Sequence, residues 1–209
     1  MLPGKYSSRE GKLKHLQAGP FQNTAILDFT ILAFIWVVLV QIVNPVGNFP
    51  LDDDWTYGLP VEHLLKTGQY EVTPTMPVSF YLQAFWGSLF CLWGGFSFTA
   101  LRFSTLTAGL LGVLITYSLL REIKASRPIA FSGALIVLTN PVYFTLSFTF
   151  QTDVPFFALA MFSVLYFLKG LKNDNIRCIY GAAALAGAAS LIRQLGVVIP
   201  ISFAIIYLK

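Results

Sequence analysis

The sequence predicts an all-α fold, a polytopic transmembrane bundle of about six spans plus a re-entrant or membrane-surface helix on the outer side. Hydrophobic residues make up 56% of the 209 residues and charged residues only 11%, whereas a typical soluble domain is about 25% charged. The apolar residues also form long stretches, and about 20 such residues cross the hydrocarbon layer of a bilayer. The stretches run at 24–43, 76–94, 103–120, 128–150, 154–168, 178–192 and 196–208.

The first apolar stretch is predicted to be an uncleaved signal anchor. The polar segment 1–23 precedes it, Asp28 lies inside it, and no small-residue cleavage site follows it. We therefore divide the chain into a cytoplasmic N-terminal segment, 1–23, and a transmembrane domain, 24–209. The region 44–102 is expected to form the first outer loop, with an acidic motif and juxtamembrane helices.

Basic residues indicate the orientation of the spans. Most of the 14 Lys and Arg residues lie in three places, and the positive-inside rule predicts that all three are cytoplasmic. The net charge of +4 therefore reflects membrane topology, and no nucleic-acid partner is expected. The three groups are Lys5, Arg9, Lys12 and Lys14; Arg121, Lys124 and Arg127; and Lys169, Lys172 and Arg177.

The apolar stretch 76–94 is the one that we expect not to cross. It lies with 103–120 between the acidic part of the outer loop, 44–75, and the basic loop at 121–127, and two crossings would leave that basic loop outside. Pro77 and Gly94 break the ends of 76–94, which disfavours a long regular helix. The alternative is a true hairpin with 121–127 outside, which breaks the positive-inside rule.

This topology brings four polar positions to the outer face: Asp52 to Asp54, Arg102, Asp153 and Arg193. Three adjacent carboxylates repel one another, which raises the pKa of at least one or attracts a cation, and such a cluster suits a general base. The alternative is that they solvate the loop and cap a short helix. That helix is expected to have Pro60 in its first turn and to end at Gly68.

The other three positions also have two interpretations each. Asp153 lies between two apolar spans, where an acid is a functional candidate by default, although it can also cap a helix before Pro155. Arg102 and Arg193 either extend to the interface or bind an anion such as phosphate. The sequence contains no metal-ligand spacing, phosphate-binding glycine loop or nucleophile elbow.

The order of several short motifs resembles a known family. The chain is similar to the polytopic glycosyltransferases of the GT-C fold, particularly the protein O-mannosyltransferase and aminoarabinose transferase-like group of prokaryotic membranes. The matching motifs are, in order, Asp53 to Tyr57, Gly68 to Tyr70, Pro77, Ala100 to Arg102, Asn140 to Pro141, and Thr152 to Pro155.

The resemblance implies an enzyme that moves a sugar from a polyprenyl-phosphate carrier to a lipid, glycan or protein acceptor. The reaction would take place at the outer face of a prokaryotic plasma (inner) membrane and serve cell-envelope glycosylation. The implied catalytic residues are Asp53, as the base, Asp54 and Asp153. Substrate contacts are expected from Asp52, Tyr57, Arg102, Arg193 and Gln194.

No cofactor is expected, with a divalent cation at the acidic loop as the alternative. Family members usually have more spans, so we expect an N-terminal fragment. The rival functions are a non-catalytic membrane subunit or inactive paralogue and, less favoured, a transporter. A transferase requires Asp53, Asp153 and Arg193 to share one outer cavity, whereas a transporter needs polar groups near the middle of the membrane.

Overall fold

The computed structural model describes residues 20–71 and 80–207, which form helices joined by turns and contain no strand. The predicted all-helical class is therefore confirmed. The predictions on the basic N-terminal residues and on Pro77 lie outside the described residues. The helices are α1 (Pro20–Val43), α2 (Asp54–Thr67), α3 (Tyr81–Cys91), α4 (Phe98–Glu122), α5 (Arg127–Thr139), α6 (Pro141–Ser147), α7 (Asp153–Lys172), α8 (Ile176–Ser190), a 3-10 turn (Gln194–Val197) and α9 (Val198–Tyr207).

Three helices in the described part of the chain are long and apolar enough to cross a membrane: Thr24–Val43 of α1, and the whole of α4 and α7. The pair α5 and α6 makes a fourth candidate, bent by 60° at its break. Asn140 lies at this break, and its side chain accepts a hydrogen bond from the Tyr143 amide at 2.9 Å. The helices α8 and α9 are shorter, so six spans stay a prediction.

Helix α3 supports the parity argument on 76–94. It has 11 residues and therefore rises about 16 Å, whereas the hydrocarbon layer is about 30 Å thick. Helix α3 is therefore shorter than a membrane span, which agrees with the expectation for 76–94, and the expectation that this stretch does not cross stays a prediction.

One apolar core joins α1, α4 and α5. Leu32 and Trp36 of α1 are four residues apart and so share one face of the helix. Both are buried, and they pack in one cluster with Val113 of α4 and Ala134 of α5. Phe34 points away from this core and is exposed, as expected for a lipid-facing side chain.

A second core holds α2 and α3 over the first turns of α4. It contains Val61 of α2, Phe80, Leu101 of α4 and Phe150, all of them fully buried. Gly87 of α3 is part of this contact, because a Cβ there would lie 2.4 Å from the Phe150 ring. The loop helices are thus fixed to the bundle by packing.

Helix α2 ends where the sequence predicts but begins earlier. Gly68 adopts the left-handed conformation at φ 72° and donates its amide to Leu64, as C-terminal glycines do. Pro60 was expected in the first turn but lies inside the helix. The helix begins at Asp54, whose amide donates a turn hydrogen bond to the Leu51 carbonyl. Pro60 therefore lies in the helix interior, where it cannot donate a backbone hydrogen bond and its ring crowds the preceding turn.

Candidate active site

Three segments that are distant in sequence meet at one end of the bundle. They are the acidic loop before α2, the turn 148–152 before α7, and the turn after α8. The Phe150 amide donates to Asp54 Oδ1 at 2.5 Å, and the Leu82 amide donates to the Leu191 carbonyl at 3.3 Å. The predicted convergence of the acidic loop, Asp153 and Arg193 is therefore present in the fold, whichever side of the membrane this end faces.

Asp54 lies inside the fold. It is fully buried, and its Oδ2 accepts the Leu51 amide at 3.1 Å. The Arg102 Nε atom lies 3.9 Å from the same Oδ2. Burial raises the pKa of the Asp54 carboxyl, while the two amide donors and the Arg102 guanidinium act in the opposite direction.

Arg102 is buried beside Asp54 and holds the loop 45–49 against α4. Its Nη1 donates to the carbonyls of Pro45 at 3.2 Å and Gly47 at 2.8 Å, and its Nη2 donates to the carbonyl of Phe49. The guanidinium also lies over the Phe49 ring, 4.8 Å from its centre. Only 2% of the surface of Arg102 is exposed, and its expected substrate contact stays a prediction.

Asp153 and Arg193 form the second acid–arginine pair. Arg193 Nη1 contacts Asp153 Oδ1, and the two side chains are 30% and 45% exposed, respectively. Asp153 is the first residue of α7, where the helix dipole favours a negative charge. Arg193 is in extended backbone between α8 and the 3-10 turn, and its Nε and Nη2 form no hydrogen bond with the described residues.

Tyr57 lies among the charged groups of this end. Its half-buried ring packs against Phe80, with ring centres 5.0 Å apart. Burial raises the pKa of the Tyr57 hydroxyl, the charges of Asp53 and Asp153 raise it further, and Arg193 opposes them. These groups are therefore close enough to influence one another.

Asp53 and Gln194 are exposed members of the predicted site, as is Asp52. Asp53 occupies the N-terminal cap position of α2, yet its side chain makes no capping hydrogen bond and forms no ion pair with a described residue. Helix capping therefore does not occupy its carboxylate. Gln194 follows Arg193 and is exposed at the start of the 3-10 turn.

Two glutamines that the sequence interpretation missed connect the segments. Gln151 Nε2 donates to Asp52 Oδ2 at 2.6 Å, and Gln83 Nε2 donates to the Gln151 carbonyl at 3.2 Å. Gln83 is fully buried. The sequence did contain one signal for Gln83, because it is a polar side chain inside the apolar stretch 76–94.

No group of three or more His, Cys, Asp or Glu side chains in the described ranges is placed to hold a metal ion. Binding of a divalent cation at the acidic loop stays a prediction. The role of each site residue also stays a prediction.

An apolar groove of about 410 Å³ is lined in part by chain neighbours of the Asp153–Arg193 pair. Its lining includes Pro155 and Ile192, which are close in sequence to that pair, and extends along α4 as far as Ile115. The segment of α4 from Ala108 to Ile115 rises about 10 Å, so the groove runs along the bundle. The remaining lining residues are also apolar and come from α3, α4, α7 and α8: Leu82, Phe85, Trp86, Leu89, Leu111, Ala158, Leu159, Phe162 and Leu185.

Residues 73–208 match the family model described as dolichyl-phosphate-mannose-protein mannosyltransferase. This match covers more than half of the chain. The chain belongs to that family. Its members are membrane glycosyltransferases with polyprenyl-phosphate sugar donors, so the predicted class of enzyme is confirmed at that level.

Membership in the mannosyltransferase family rests on the region from α3 onward. The matched residues include Arg102, Asp153 and Arg193, whereas Asp52 to Asp54 precede the matched region. No curated protein and no solved structure matches the chain. The narrower resemblance to a prokaryotic subgroup therefore stays a prediction.

Proposed function

We propose that this chain transfers a sugar from a polyprenyl phosphate to an acceptor at the end of the bundle that carries Asp53, Asp153 and Arg193. The observation that carries the proposal is the apolar groove whose lining includes Pro155 and Ile192, close along the chain to the Asp153–Arg193 pair. A lipid-linked sugar donor needs this combination, because its prenyl chain is apolar and its phosphate is anionic. Family membership supports the same donor class.

The groove provides the place for the prenyl chain. Its lining is almost entirely apolar, so a prenyl chain passes into it from the lipid without contacting polar groups, and van der Waals packing holds the chain there. With the chain in the groove, the phosphate lies near Arg193. The Nη2 and Nε atoms of Arg193 then donate to the phosphate while Nη1 stays with Asp153.

The reaction is a displacement at the anomeric carbon. Asp53 takes the proton of the acceptor hydroxyl as the hydroxyl oxygen bonds to that carbon, and the bond from the carbon to the phosphate oxygen breaks. A carboxylate base of this kind contributes about 10²- to 10⁴-fold to the rate. Arg193 stabilises the charge that develops on the departing lipid phosphate.

The remaining predicted site residues take supporting roles in this proposal. Asp54 and Arg102 act as positioning residues, because they are buried and hold the loop that carries Asp53. Asp153 orients Arg193, and Tyr57 and Gln194 border the sugar. The acidic end faces the outside of the membrane, in accord with the positive-inside rule.

The experiment is sugar transfer in membranes that contain the full chain. Radiolabelled polyprenyl-phosphate mannose is added, and label is followed into lipid, glycan and protein fractions. Asp53→Asn should lower transfer about 10²- to 10⁴-fold, and Asp53→Glu should retain part of the activity because it keeps the carboxylate.

Glu71→Gln is the matched control, since Glu71 is also an exposed acid after the first span but lies outside the proposed site. It should leave transfer unchanged. Equal activity of wild type and Asp53→Asn would remove Asp53 as the base. A folded wild-type chain that transfers no label would favour the non-catalytic subunit instead.

A further inference from the structure

A basic pocket lies at the end of the bundle opposite the candidate active site. Its volume is about 500 Å³, and its lining includes the cations Arg121, Lys124, Lys169 and Lys172, the anion Glu122 and the aromatic ring of Phe29. Neither the family match nor the proposed reaction assigns it a role.

Positive charge is in excess in this pocket. Lys172 pairs with Glu122 at 2.8 Å, so that pair is neutral. Arg121 Nη1 donates to the Ala125 carbonyl at 2.6 Å, which holds the guanidinium in place. Lys124 and Lys169 form no ion pair within the described part of the chain, and they leave the pocket suited to an anion.

The wall of the pocket is fixed by an ion pair between buried Asp28 and half-exposed Arg127. Asp28 of α1 accepts hydrogen bonds from Arg127 Nε at 2.9 Å, from Arg127 Nη2 at 2.8 Å and from the Tyr117 hydroxyl at 2.6 Å. Phe29 packs edge-on against the Tyr117 ring, with centres 5.4 Å apart. These contacts hold α1 against α4, so the side of the pocket that α1 forms is already in place.

The position of the pocket along α4 indicates how deep in the membrane its ligand lies. Helix α4 has 25 residues and spans about 37 Å, somewhat more than the hydrocarbon layer of about 30 Å. Arg102 lies near its first end and Arg121 near its last. The pocket therefore lies where lipid headgroups meet acyl chains, and it combines cations with the apolar surface of Phe29.

We propose that this pocket binds the phosphate group of an anionic phospholipid. Lys124, Lys169 and Arg121 contact the phosphate, and Phe29 packs against the first part of an acyl chain. Cations at the ends of α4 and α7 also complement the helix dipoles, but that role needs no apolar wall and gives no preference among lipids.

The test measures the binding of phosphatidylglycerol to the purified full chain in detergent, by native mass spectrometry with phosphatidylcholine as the neutral reference. A surface cation near an anionic headgroup contributes about 1 kcal/mol. The double variant Lys124→Gln and Lys169→Gln should therefore bind phosphatidylglycerol about 30-fold more weakly and phosphatidylcholine unchanged. The pair Lys124→Arg and Lys169→Arg should retain binding.

The matched control is Lys66→Gln with Arg177→Gln, which removes the same charge from exposed positions outside the pocket. Equal loss in the control and pocket variants would overturn the proposal, as would equal binding of the two lipids by the wild type. Displacement of phosphatidylglycerol by an equal concentration of inorganic phosphate would also overturn it. If the glutamine pair does not fold, Lys169→Gln alone must still weaken phosphatidylglycerol binding, and unchanged binding in that variant counts against the proposal.

Discussion

Two acid–arginine pairs lie at the same end of the bundle, and they differ mainly in burial. Asp54 and Arg102 are 0% and 2% exposed, whereas the side chains of Asp153 and Arg193 are 45% and 30% exposed. The first arginine donates to three backbone carbonyls of one loop. The second touches its acid through one nitrogen, and it borders an apolar groove.

The difference separates the residues that build the site from the residues that are available to substrate. A buried charged group must be paired with an opposite charge within the protein, because an unpaired charge there is strongly destabilising. A half-exposed pair carries a small penalty and can exchange water for a ligand. The difference in burial supports the proposal that the first pair positions the loop and that the second contacts substrate.

The largest expected effect is on the buried pair. Arg102→Met leaves the Asp54 carboxylate buried without its cation, and breaking such a pair lowers the free energy of unfolding by about 3–5 kcal/mol. The measurement is denaturant unfolding in mixed micelles. Adding Asp54→Asn to Arg102→Met should recover part of the loss, because it removes the uncompensated charge.

Arg177→Met serves as the control for this prediction, since Arg177 is exposed and surface substitutions usually change stability by less than about 0.5 kcal/mol. A small effect of Arg102→Met, similar to that of the control, would mean that burial does not distinguish the two pairs.

The helices and the end of α2 could be predicted from the sequence. The difference in burial between the two acid–arginine pairs could not. Apolar stretches predicted the long helices, and Gly68 predicted the end of α2, because both depend on local chemistry. Which of the adjacent acids is buried depends on where Arg102 and Phe150 meet the loop. Those partners are 48 and 96 residues from Asp54 along the chain, so the local sequence carries no signal for them.

The second effect is on the half-exposed pair, and it should appear in activity. Arg193→Gln removes the cation beside the leaving phosphate, which should lower sugar transfer about 10²- to 10³-fold, or about 2.7–4 kcal/mol in the barrier. Stability should change by only about 0–1 kcal/mol, as for other exposed ion pairs. Transfer assays and unfolding titrations on the same preparation check both parts.

Arg193→Lys gives the sharper control, because it keeps the charge but loses the planar fork that binds phosphate. Its transfer rate should lie between those of wild type and Arg193→Gln. If Arg193→Gln instead lost stability to the same extent as Arg102→Met, both pairs would be structural and the proposed phosphate contact would be wrong.

The smallest effect concerns Asp52, which lies next to both pairs and belongs to neither. Its carboxylate accepts one hydrogen bond from Gln151, and its backbone is left-handed at φ 51°, a conformation that Asn also tolerates. Asp52→Asn should therefore change the free energy of unfolding by less than about 1 kcal/mol and keep most of the transfer activity. Asp52→Ala should be more destabilising, because it loses both the hydrogen bond and the tolerance of positive φ.

A double-mutant cycle of Asp52→Ala with Gln151→Ala isolates the contact and should give about 0.5–1.5 kcal/mol of coupling. Activity provides the stricter comparison with the neighbouring acid. Asp53 is distinguished by its exposure and by the lack of an ion-pair partner among the described residues. If Asp52→Asn reduced transfer as strongly as Asp53→Asn, these two properties would not identify the base. The proton acceptor would then have to be sought in the acidic loop as a whole.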